Sequence, residues 1–134
     1  MNNISINDKE FTNSNAYMQF INNNNGIGYL KIRAYAASQA LPIKGLKVLV
    51  NKKINGYNVN FFEGYTNESG TIENINLPAP KQDNNDLITP KSTSYEIIAT
   101  LNNQISQNYI VNIYDKLYVI QNMSILPNKQ NGDI

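Results

Sequence analysis

The 134-residue chain contains no cysteine, no histidine and no tryptophan. Without cysteine there is neither a thiolate nucleophile nor a disulfide, and without Cys and His a zinc site of the usual kind has no ligands. The missing imidazole removes the common base that activates a serine or relays a proton near neutral pH. Charge of one sign is equally scarce: 11 Lys plus Arg stand against 10 Asp plus Glu, for a formal net charge of +1. No bulk field draws the chain to nucleic acid or to an anionic membrane. No apolar run approaches the roughly eighteen residues of a membrane span. The opening residues MNNISINDKEFTNSNAYMQF also lack the basic end and apolar block of an export signal. The chain is therefore expected to be soluble and to carry no signal peptide, which leaves a cytoplasmic, spore-associated or phage-particle-associated location. Absence of cysteine does not separate these, since such a chain works in either redox environment.

Asparagine is abundant, at 25 residues, with Ile, Lys and Tyr also frequent. That bias accompanies AT-rich genomes and favours a low-GC bacterial source. The length is that of one domain, large enough to bury a core without metals or disulfides.

Residues 1–25 read as an N-terminal arm or linker. Their apolar content is Phe11 and the patch Ala16, Tyr17, Met18, Phe20 and Ile21, which suits an amphipathic turn or an edge strand docked on the domain, and the four Asn at 22–25 read as linker. From Gly26 the texture changes to short apolar runs separated by turn residues. In GYLKIRAYAA, Leu30, Ile32, Ala34 and Ala36 share one face, opposite Tyr29, Lys31, Arg33 and Tyr35. Strict alternation of this kind predicts a half-buried strand. GLKVLVNKK puts Leu46, Val48 and Val50 on one face, and Asn55-Gly56 supplies a dipeptide that tolerates positive φ at both central positions of a tight hairpin. The strand should return as 57–66.

Asn67 to Gly70 then form a turn, 71–77 a short strand, and Pro78 with Pro80 its end, because proline has no amide hydrogen for the ladder. After a polar loop over 81–93, SYEIIATL places Tyr95, Ile97 and Ala99 on one face, and 108–115 forms a further strand. The last strand, 116–127, sets Leu117, Val119, Gln121, Met123 and Ile125 against Tyr118, Ile120, Asn122 and Ser124. Several short strands at this spacing, with no helical periodicity in the domain, predict an all-β, seven-stranded antiparallel Greek-key sandwich with a short N-terminal arm. Its two inward faces make the core.

The order of motifs GYLKI, ALPIKGLKVLV, GYTNESGTIENINLPAP, SYEIIAT and VIQNMSILP resembles that of the carboxypeptidase-regulatory-like, or transthyretin-like, β-sandwich modules of low-GC Gram-positive bacteria. The resemblance covers residues 26–127 and leaves 128–134 as a C-terminal tail. It implies the transthyretin-like fold and an accessory role beside cell-wall-binding or wall-degrading segments, and it carries no catalytic residue across.

An intramolecular Lys to Asn or Asp bond needs a lysine facing the core, yet Lys31 falls opposite Leu30 and Ile32, and Glu96 lies on the face opposite Tyr95 and Ile97. Asp83, Asn84, Asn85 and Asp86 carry oxygen ligands in one loop but lack the spacing and terminal Glu of a calcium loop. Glu63, Glu68, Glu73, Glu96 and Asp115 are better read as outer-face charges than as the paired carboxyls of a glycosidase. The tyrosines say more: Tyr29, Lys31, Arg33 and Tyr35 should form one outward stripe, and rings interleaved with cationic groups stack on sugars, peptides or bases.

These readings converge on a non-catalytic binding or scaffolding module acting at a protein or cell-wall glycan surface through Tyr29, Lys31, Arg33 and Tyr35. No catalytic residue, metal, cofactor or nucleic-acid partner is expected. The alternative is a structural subunit of a spore, envelope or phage-particle assembly, formed by homo-oligomerisation through an edge strand or the N-terminal arm.

Overall fold

The hairpin at Asn55-Gly56 forms as its residues demand: Asn55 has φ 52° and Gly56 φ 86°, and Ile54 pairs with Tyr57 directly across the turn. Around it, the computed structural model describes residues 3–5, 14–36, 40–83, 90–103 and 105–125. The elements are β1 (Asn3–Ser5), α1 (Asn15–Asn23), β2 (Gly26–Ala36), β3 (Leu41–Pro42), β4 (Lys47–Ile54), β5 (Tyr57–Tyr65), β6 (Thr71–Ala79), β7 (Thr93–Leu101), β8 (Ile105–Ile113) and β9 (Tyr118–Ser124). All seven expected strands are present, as β2 and β4 to β9.

They form two sheets. One runs β1-β5-β4-β7-β8; in the other, β2 lies between β6 and β9, with β3 pairing to its end. Leu30, Ile32, Ala34, Val48, Val50, Tyr95, Ile97 and Ala99 are buried between the sheets, as the alternation predicts, joined by Ile113, Met123 and Ile125. The expected all-β sandwich is therefore what this chain folds into.

Four local expectations need correction. The sandwich is not antiparallel throughout, because β9 lies parallel to β2, Tyr29 facing Tyr118 and Tyr35 facing Ser124. β2 and β9 are separated by about eighty residues of chain that form the rest of the sandwich, a crossover long enough for parallel pairing. Second, β6 continues through Pro78 to Ala79. β6 is an edge strand, where the missing amide hydrogen of Pro78 costs no ladder bond. Third, Leu117 is 52% exposed and does not share the inward face of Met123.

The fourth concerns 22–25. Asn22 and Asn23 complete α1, and Asn24 caps it as a buried residue with its amide Nδ2 donating to the Phe20 carbonyl at 2.8 Å. At the other end Ser14 Oγ accepts the Tyr17 N–H at 3.2 Å, the usual device for an orphan donor of the first turn. A nine-residue helix is marginal alone. Here Ala16, Tyr17 and Phe20 pack on Ile54, Val59 and Phe61 of the β4–β5 hairpin, and the Phe20 and Phe61 rings lie 5.6 Å apart. Phe61 meets Tyr95 edge-on at 5.5 Å, so one aromatic row links the helix to the core.

β6 contains an irregularity that its sequence requires. In TIENINL, Ile72, Ile75 and Leu77 cannot share one face of a regular strand, since 72 and 75 differ by an odd step. A bulge resolves this: Leu30 pairs with Ile75 and Ile32 with Ile72, and Asn74 takes φ 59°. Asparagine tolerates that left-handed conformation better than most residues.

Candidate binding face

β2 presents its odd-numbered residues to the outside of its sheet, so Tyr29, Lys31, Arg33 and Tyr35 do occupy one face. Arg33 is exposed and the other three are half-buried. Lys31 Nζ pairs with Glu73 Oε2 on β6 at 3.2 Å. Beside Arg33 and Tyr35 is a shallow groove of about 100 Å³, lined also by Pro42 and Ser69.

The parallel register adds residues that strand-by-strand reading leaves out. Tyr118 stacks on Tyr29 with ring centroids 4.7 Å apart and planes at 21°. Ile120 stands beside Lys31. Tyr118 is 73% exposed, Ile120 54% and Ile27 48%. Leu117 adjoins them, its carbonyl accepting the Tyr29 N–H at 3.0 Å. One end of this face is therefore apolar and aromatic, and the other carries Arg33 with the Arg33–Tyr35 groove. The outward parity of Tyr118 and Ile120 was readable in the sequence, but their position next to Tyr29 was not.

This end of the face is held by Asp115. Its buried carboxylate accepts the Ile27 N–H at 3.0 Å and the Gln82 N–H at 3.2 Å, which fixes the start of β2 and the chain after β6 to the β8–β9 connection. Gly26 lies so close that a Cβ there would sit 2.5 Å from Asp115 Oδ1. Asp115 is thus a structural carboxylate, not an outer-face charge as its neighbours in sequence imply.

The remaining carboxylates are spread out. Glu63 pairs with Lys47 at 3.6 Å and Glu68 with Lys44 at 3.8 Å. Glu96 lines a second shallow depression of about 300 Å³ on the opposite sheet, with Asn51, Lys52, Ser94 and Ile110. There Lys52 Nζ donates to Ser94 Oγ at 3.4 Å, and burial lowers the lysine pKa. Among the described residues no three Asp or Glu gather as metal ligands. Most of the Asp83–Asp86 loop lies outside the described residues.

The strand order of the two sheets, with β9 parallel to β2, defines the class of fold as a two-sheet β-sandwich, of the kind that the transthyretin-like resemblance implies. Neither a family model nor a curated protein matches the chain. Among solved structures it is similar to 5-hydroxyisourate hydrolase of Klebsiella pneumoniae, at 14% identity over 76% of this chain and 92% of that one, with a TM-score of 0.49. A likeness at that level carries neither activity nor substrate across. It does correct one expectation. That protein is an enzyme, so the chain can no longer be classed as a non-enzyme by its outline.

Proposed function

We propose that this chain is a binding or scaffolding module that engages a protein or cell-wall glycan surface through the outer face of β6, β2 and β9. The observation that carries the proposal is the uncovered Tyr29–Tyr118 stack, bordered by Ile27, Leu117 and Ile120. Scattered single apolar side chains are ordinary on a surface, but a contiguous group of them marks an interaction site. Stacked tyrosines offer a flat apolar face with hydroxyls at its margin, which suits a sugar ring or a peptide. Arg33 adds a cationic donor fork for a carboxylate or carbonyl at the other end. The low-GC Gram-positive origin expected from the composition fits a wall glycan bearing peptide stems, a ligand with both sugar and carboxylate parts.

The test is co-sedimentation of the chain with insoluble peptidoglycan, followed by amide chemical-shift mapping with soluble muropeptides. Binding that is lost in Tyr118→Ala and weakened in Arg33→Ala, with shifts centred on Tyr29, Arg33 and Tyr118, supports the reading. Absence of binding rejects the wall glycan, and shifts centred on another face reject the site.

A further inference from the structure

We infer that Asn55 is a self-modifying site: its side-chain amide is lost by ring closure onto the Gly56 amide nitrogen, and the carboxylate that replaces it loosens α1. The site is the tip of the β4–β5 hairpin, on the sheet opposite the Tyr29–Tyr118 face, and it is independent of the ligand reading above.

The chemistry needs no partner but water. The Gly56 nitrogen attacks Asn55 Cγ, and the new C–N bond closes a five-membered imide. The Cγ–Nδ2 bond breaks, and the amide nitrogen leaves as ammonia with the proton of the Gly56 N–H. Water then opens the imide. Addition at Cγ gives aspartate, whereas addition at the Asn55 main-chain carbonyl gives isoaspartate, in which the chain runs through Cβ and Cγ.

Asn-Gly steps occur in the sequence at 25–26, 55–56 and 131–132, of which the last lies outside the described residues. The fold treats the other two differently. Asn55 and Gly56 are both exposed, and a Cβ on Gly56 would meet nothing within 4 Å, so the ring has room to form. Ile54 and Tyr57 close the hairpin, which leaves the Gly56 N–H outside the ladder. Exposed turn tips of this kind open at small cost. Gly26, in contrast, is buried at the start of β2 and pairs with Ala79. A Cβ there would lie 2.5 Å from Asp115 Oδ1 and 3.0 Å from the Ala79 carbonyl oxygen, and Asp115 also holds the next N–H, that of Ile27. Ring closure at Asn25 therefore requires the start of β2 to detach.

The consequence for α1 follows from where Asn55 stands. It lines a groove of about 450 Å³ together with Gln19, Phe20 and Asn23 of α1. Asn23 is the last residue of that helix, whose final turn carries the negative end of the macrodipole and no basic residue. A carboxylate at position 55 is thus set beside like charge. Isoaspartate also lengthens a turn whose length fixes the hairpin register. Ile54 and Tyr57, on either side of that turn, belong to the apolar surface on which Ala16, Tyr17 and Phe20 pack.

Incubation of the full chain at mildly alkaline pH, followed by peptide mass mapping with fragmentation and by isoaspartyl methyltransferase labelling, tests the site. Asn55 is expected to convert faster than Asn25 by about tenfold or more in the folded chain, and the difference should vanish in urea, where both steps are free. Equal rates at the two positions in the folded chain overturn the inference, as does an Asn55 that stays intact while the urea-unfolded chain converts. Amide hydrogen exchange reads the effect on the helix. Exchange in α1 should quicken in the converted chain and in freshly prepared Asn55→Asp, whereas Asn55→Gly, which accepts the positive φ and cannot cyclise, should keep its starting protection through the same incubation. Unchanged exchange in α1 after full conversion overturns the coupling to the helix.

Discussion

The Thr93 hydroxyl donates to the Asn24 side-chain oxygen across 69 positions of sequence, and both residues are buried. Asn24 ends α1 and Thr93 begins β7, so the bond ties the helix to the sheet it packs on. Thr93→Val keeps the shape and removes the donor, leaving the Asn24 oxygen buried without a partner. A loss of about 1–3 kcal/mol is expected in urea unfolding. Hydrogen exchange should localise part of that loss to α1, and an unchanged α1 would show that Phe20 alone holds the helix.

Two glycines with similar backbone conformations should respond differently to alanine. Gly45 (φ 79°) has open space around its missing Cβ, whereas at Gly70 (φ 75°) a Cβ would sit 2.5 Å from the Ala34 carbonyl oxygen. Gly45→Ala is expected to cost about 1–2 kcal/mol from left-handed strain alone. Gly70→Ala adds a backbone clash and displaces the Ala34 N–H bond to the Gly70 carbonyl at 2.7 Å, so its cost is larger. Equal melting temperatures for the two variants would contradict this packing.

Alkaline pH should unfold the protein through its tyrosines. Burial raises the pKa of Tyr95 far above the ordinary 10.0, and raises Tyr17 and Tyr109 in the same direction. An acid with a raised pKa in the folded state contributes stability that is fully present below its unfolded value. That contribution is lost as pH climbs from about 10 towards the folded values. Tyr95→Phe should flatten this alkaline decline. At neutral pH it should cost about 1 kcal/mol, because the hydroxyl also donates to the Pro78 carbonyl. Melting curves of both proteins from neutral to alkaline pH provide the check.

Lys52 should titrate below the usual lysine value of 10.5, since partial burial penalises its charged form. Heteronuclear NMR of the lysine side chains measures this directly. Lys52→Met, which keeps the aliphatic stem, is expected to change stability by no more than about 0.5 kcal/mol at neutral pH. A large loss would mean that the Ser94 contact matters more than its 3.4 Å length implies.

Asn67 shows how far local reading reaches. Its side-chain oxygen accepts from Ser69 N–H at 2.9 Å and from Thr71 N–H at 3.0 Å, so the stretch TNESG is a turn, as its composition says. The preceding Thr66 is different. It is buried, accepts the Leu46 N–H at 3.0 Å and donates to the Ile43 carbonyl, fastening the start of β4 to the end of β5. Nothing in its immediate neighbours announces that role. The same holds for the binding face: Tyr29, Lys31, Arg33 and Tyr35 follow from alternation within one strand, but Tyr118 joins them only through a register that spans most of the chain.

Alternation and turn chemistry were enough to establish the all-β class, the β4–β5 hairpin, and the inward faces of β2, β4 and β7, because a period of two and a positive φ are properties of a few adjacent residues. The absences were equally local in effect, excluding cysteine and histidine chemistry outright. The parallel pairing of β2 with β9, the buried pairing of Asn24 with Thr93 and the Asp115 latch needed the folded chain. Each depends on which distant segment arrives beside it, and a strand's own residues specify which side it buries without specifying its neighbour.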